Sequence, residues 1–120
     1  MQRLDQAVDV LEQLVTSPLR LEQSWRRTVR EQLATICEAL YEERTGTSDS
    51  WLSARAGHLH RERNRLIARI SVLAGSVSES ADIEPVREAL LRVAQDVQHH
   101  AQRVSDLMYD AVAMEVGGSE

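Results

Sequence analysis

The chain has no phenylalanine, one cysteine and two prolines among its 120 residues, and all fourteen of its basic residues are arginine. A lone Cys37 cannot close an internal disulfide, which suits a reducing, cytoplasmic setting. With two Trp and two Tyr as the entire aromatic stock, a base-stacking platform or an aromatic ligand cage has little to be built from. No apolar run approaches the roughly 18 residues that a membrane span requires. The opening Met1-Gln2-Arg3-Leu4-Asp5 passes into alternating polar and apolar residues and does not read as a signal peptide. A formal net charge of −5 argues against nucleic acid as a partner for the surface as a whole. A codon bias toward GC explains arginine in place of lysine without invoking function.

What the chain does have is apolar residues, 42% of the total, recurring at three and four positions. That is the period of a helix, and nowhere do they alternate as in a strand. The first stripe runs Leu4, Val8, Leu11, then Leu14 or Val15. Thr16-Ser17-Pro18 is a stop and a restart, with Ser17 as N-cap and Pro18 in the first helical position. The second stripe runs Leu21, Trp25, Val29, Leu33, Ile36, Leu40, with Cys37 and Tyr41 assigned to the same face. Thr45 to Ser50 breaks that helix and caps the next. The third stripe runs Leu52, Ala56, Leu59, Leu66, Ile70, Leu73, Val77. Asp82 then caps a helix containing Pro85, whose stripe is Val86, Leu90, Val93, Val97, Val104, Leu107, Ala111, Met114, closed by Gly117-Gly118. The later three helices are expected at about 25–30 residues, or roughly 40 Å each. Joined by short loops, such helices lie side by side in alternating directions. The expectation is one domain over residues 1–120, an all-α, up-down antiparallel four-helix bundle with a shorter first helix.

Chemistry in a bundle concentrates where a polar residue takes a core position. Arg63 lies four beyond Leu59 and His100 lies three beyond Val97. A guanidinium there must be paired or must reach water along its stem. If the last turn centres on Ser80 and Ala81, residue 60 lies level with about 101 and 63 with about 98. His58, His60, His99 and His100 then share a height with Glu62, and imidazoles with a carboxylate are the raw material of a transition-metal site. The competing reading makes His58 and Glu62 a solvated pair, leaves His99 in solvent and gives His100 a structural hydrogen bond. Tyr41 reads as a core aromatic with a wet hydroxyl, and Cys37 as a small hydrophobe. There is no Gly-rich phosphate loop, no Cys-x-x-Cys and no pair of Glu-x-x-His motifs, so enzyme chemistry has little to stand on.

Three stretches carry a family resemblance: His100, then Asp106-Leu107-Met108-Tyr109-Asp110-Ala111, then Glu115-Val116-Gly117-Gly118. With Trp25 and Arg61-Glu62-Arg63 laid on the same plan, the chain resembles the hemerythrin-like (HHE cation-binding) family, especially its short actinobacterial members. The resemblance implies a bundle holding two non-haem irons on histidines and carboxylates, for oxygen, peroxide or nitric oxide. Carried over by position, that ligand set is depleted. Its second-helix His and Glu fall on Tyr41 and Thr45, its third-helix His on Arg63, and its fourth-helix carboxylate on Val104 or Ser105. Only His100 stands where a ligand is expected.

Three functions follow. The first is a metal-free bundle acting as an interaction or regulatory protein, through a homodimer or another protein partner. Under it, His100→Ala is expected to be mild and Arg63→Ala disruptive. The second is an irregular metal site on His58, His60, Glu62, His99 and His100, with iron the ion that the resemblance implies. The third is a pocket in which Arg63, with Tyr41 nearby, holds a small organic or anionic ligand. The sequence names no cofactor.

Overall fold

A computed structural model describes residues 2–16, 22–43 and 50–118. The described residues are helical almost throughout, with no strand among them: α1 (Gln2–Thr16), α2 (Glu22–Tyr41), α3 (Ser50–Glu79) and α4 (Ile83–Gly118). Ser17, Pro18, Leu21 and the breaker Thr45 to Asp49 lie outside the described residues, as does the side chain of Met114. The helices hold 15, 20, 30 and 36 residues. The last exceeds expectation because its apolar stripe persists through Leu107 and Ala111 and Gly117-Gly118 does not interrupt it. Among the described residues, no helix is long and apolar enough to cross a membrane.

The stripes become the core. Leu11, Leu33, Leu40, Ile70, Leu90 and Leu107 are fully buried, and Val15 rather than Leu14 completes the stripe of α1. The main cluster draws on all four helices. A second one, Leu52 and Leu59 with Val104 and Leu107, belongs to α3 and α4 alone. Each helix packs on two others: α1 on α2 and α4, and α3 on α2 and α4. Partners between α3 and α4 fix their register. Arg55 meets Asp110 at 2.8 Å, Glu62 meets Arg103 at 2.7 Å and Arg69 meets Asp96 at 2.8 Å. Numbers rise along α3 as they fall along α4, and Glu62 sits within about a turn of its expected level near residue 99.

Helix ends are closed by side chains from neighbouring helices. Arg26 Nη1 donates to the Val77 carbonyl at 2.8 Å, and Trp25 Nε1 to the Leu14 carbonyl at 2.7 Å. Arg87 donates to the Val15 carbonyl. These carbonyls lie in the last turns of α3 and α1, which have no partners within their own helices and carry the negative end of the helix dipole. Asp82 caps α4 as expected, its Oδ1 accepting from the Glu84 N–H at 3.2 Å.

Leu90→Ala removes a fully buried side chain and is expected to cost about 2–5 kcal/mol in urea unfolding. Val72→Ala, at a position 71% exposed, should change stability by less than about 0.5 kcal/mol. Equal losses at the two positions would mean that the assigned core is wrong.

Candidate functional site

The polar residues that interrupt the stripes converge at one level of the molecule. His100 is 0% exposed and is the one buried polar residue among those described. It arrives there because Val97 and Val104, on either side at helical spacing, carry the buried face of α4 through it. Glu62 comes from α3, between Leu59 and Leu66. Glu43 comes from just past α2, where the Glu43 N–H donates to the Leu40 carbonyl at 3.2 Å. That i to i+3 tightening of the last turn carries the stripe of Ile36 and Leu40 one step further, onto a carboxylate.

The geometry is a carboxylate, an imidazole and a carboxylate in a row. His100 Nδ1 lies 2.6 Å from Glu62 Oε1, and Nε2 lies 2.7 Å from Glu43 Oε1. A neutral imidazole has one N–H and one lone pair, so one of two carboxylates facing it would meet a lone pair. An imidazolium donates to both, and the short distances are those of charge-assisted bonds. Burial works against charge on His100, but its hydrogen bonds to Glu43 and Glu62 and their negative charges prevail, and its pKa is raised. For Glu62, burial pushes upward and is outweighed by hydrogen bonds from Arg103 and His100, so its pKa is lowered. Arg103 Nη2 approaches Glu62 Oε1 at 2.7 Å.

The other expected site residues fall around this row rather than in it. His58 is exposed and sits 4.0 Å from Glu62 Oε2, while Glu62 is only 17% exposed. Only the imidazole of that pair is in solvent, since the carboxylate is partly buried and also bonds His100. His60 and His99 are exposed, so the four imidazoles do not gather. Tyr41 is 67% exposed, not a core aromatic: one residue past Leu40 is a rotation of about 100° away from the buried stripe. Arg63 is half-buried. Its Nη1 donates to the Glu43 carbonyl at 3.5 Å and its Nη2 to Asn64 Oδ1 at 3.3 Å, while Nε is buried without a partner. Glu38 and Asp96 do not reach Arg63; they pair with Arg3 and Arg69. Cys37 is half-buried, and burial pushes its thiol up, away from the reactive thiolate.

Among the described residues, no three His, Cys, Asp or Glu side chains are grouped so as to hold a metal ion. Glu43 and Glu62 approach opposite nitrogens of one ring, and donors that diverge from a ring cannot meet at a single ion. Glu43, Glu62 and His100 are the residues that could turn toward a cation, once the ring of His100 gives up a proton. Glu43 and Arg103 were not anticipated from sequence, although Glu43 lies three beyond Leu40 on the stripe. Arg103 carries no stripe signal, since it enters by reaching across from an exposed position.

The chain matches no family model, no curated protein and no solved structure.

His100→Ala leaves Glu43 buried without its cation and leaves Glu62 to Arg103 alone, so the mild effect expected from sequence gives way to a loss of about 3–5 kcal/mol. His60→Ala, at the surface, should be near neutral. The pH dependence follows from both shifts. The contribution of His100 is complete below its ordinary value of 6.5 and is lost as pH rises through its raised value in the fold. That of Glu62 is complete above its ordinary 4.5 and is lost as pH falls through its lowered value. Urea midpoints should therefore be highest between 4.5 and 6.5, with an alkaline decline that His100→Gln removes. A profile unchanged by that substitution would contradict the assignment.

Proposed function

We propose that the chain is an up-down antiparallel four-helix bundle with a shorter first helix, of hemerythrin-like plan. In this reading a proton-centred ion network stands where that family keeps its irons, and the protein works as an interaction or regulatory protein rather than as an enzyme. The observation that carries the reading is that both ring nitrogens of His100 are engaged by carboxylates on opposite sides. A ligand histidine needs one nitrogen free for the metal. The guanidinium of Arg103 adds positive charge on Glu62, where a cation would have to sit. The order of partners along α3 and α4 supports the alternating helix directions. Tyr41, Met108, Tyr109 and Val112 are exposed and offer apolar surface to a protein partner, including a second copy of the chain. Its single thiol suits a reducing cytoplasm.

A second reading keeps the pocket of Arg63 for a small organic or anionic ligand. It is favoured by the buried, unpartnered Nε. Both terminal nitrogens of Arg63 already have acceptors within the protein, which weakens it.

Metal analysis of tag-free protein by mass spectrometry, with a visible spectrum in air, decides between network and iron. The expected result is no stoichiometric metal in a fully helical protein. Stoichiometric iron with oxo-bridge absorption would instead establish a working centre for oxygen, peroxide or nitric oxide and end this reading. Light scattering over a concentration series tests self-association. A dimer that Tyr109→Arg dissociates is expected, and a monomer throughout would restrict the partner to another protein.

A further inference from the structure

A groove of about 520 Å³ opens beside the ion network, between the start of α1, the end of α2 and the middle of α4. Leu4, Ala39, Val104 and Met108 give it apolar walls, and Glu43 lies at its inner side. We propose that this groove binds a small primary alkylammonium, with the charged head on Glu43 Oε2 and the alkyl body along Leu4, Val104 and Met108. The proposal goes beyond the interaction reading and does not depend on it.

The case begins with one oxygen. The Glu43 side chain is 5% exposed, and its Oε1 is taken by His100 Nε2 at 2.7 Å. Its Oε2 is buried with no hydrogen-bond partner. Buried carboxylate oxygens without donors are costly and uncommon, and here the unsatisfied atom belongs to a residue that lines a cavity large enough for a small molecule. What that oxygen lacks is a donor, which an anion or an ether cannot supply.

The number of donors selects among ligands. Glu42 pairs with Arg3, and Glu43 pairs through Oε1 with His100, so the open acceptor on the groove is Glu43 Oε2. Arg3 is already engaged by Glu42 at 3.4 Å and by Glu38 at 3.7 Å, so its charge is spent at the rim. An ammonium brings three N–H donors and a positive charge, whereas an alcohol brings one donor and none. A divalent metal needs several oxygens or nitrogens converging on one point, and the remaining walls are mostly hydrocarbon. Glu43 Oε2 lies under the groove surface, so the ligand must displace side chains as it enters. Arg3 and Met108, both about half exposed, are the rim groups able to swing aside.

The test uses the full chain and n-butylammonium chloride, titrated by calorimetry at constant ionic strength, with n-butanol and sodium butyrate as competitors. Saturable binding of butylammonium is expected, with neither competitor displacing it. Glu43→Gln should weaken binding at least about tenfold, equivalent to roughly 1.4 kcal/mol. Met108→Trp, which fills the groove without touching the ion network, should abolish binding while the far-UV dichroism stays unchanged. If Glu43→Gln fails to fold, Met108→Trp decides the matter alone. No saturation of the native chain, equal binding of butyrate, or affinity unchanged in Met108→Trp would each overturn the proposal. Displacement of butylammonium by one equivalent of Zn²⁺ would replace it with a metal site.

Discussion

The charged ring of His100, donating one N–H to Glu43 and the other to Glu62, joins three helices at the level where α2 ends and α3 and α4 continue. Desolvating two carboxylates and an imidazolium is expensive, and their mutual attraction offsets that cost only while all three stay in contact. An apolar trio of the same volume could pack there at no electrostatic cost. It would lack the directional bonds that hold Glu62 opposite His100 rather than opposite a residue one turn away. The network thus fixes how far α3 can slide along α4, and the apolar stripes, tolerant of such slippage, do not. Arg103 reinforces the same carboxylate from the surface side, so the register is set by charge at two depths.

The arginine-only composition takes on structural meaning beside this. Guanidinium groups close the ends of α1 and α3 from neighbouring helices, through Arg87 and Arg26. The Arg63 guanidinium reaches the carbonyl of Glu43 itself. Each case needs a long stem lying along apolar surface and a planar head with several donors, which an ammonium matches less well. The helix ends and the carboxylate of Glu62 put arginine to use.

The stripes were legible because burial on a helix repeats at a fixed interval, and the described stripe residues from Leu4 to Leu107 are buried, Ala56 and Leu73 partly so. His100 was legible for the same reason: a polar residue between Val97 and Val104 interrupts a pattern. Asp82 was legible because caps are chosen by local chemistry. Glu43 was not, since it lies beyond the last regular turn of α2 and only the tightening of that turn brings it inward. Tyr41 was misplaced by extending the stripe one residue sideways instead of three residues onward. Arg63 was legible as an interruption, and the pairing that its position demands is met by a backbone carbonyl and an amide oxygen. The roles of Glu62 and Arg103 depend on a register known only once the helices are packed.

The two apolar clusters have a consequence for how the molecule opens. Leu52, Leu59, Val104 and Leu107 are set apart from the four-helix core, with the polar row at the boundary. Apolar packing alone makes such a pair of cores two foldons, each able to breathe at its own free energy. The two bonds of His100 couple them, because separating the outer α3 and α4 segments exposes the same bonds that hold the inner ones in register. Amide exchange along α4 is therefore expected to report the integrity of that coupling at residues far from His100, as one opening while the ring is charged and two once it is neutral.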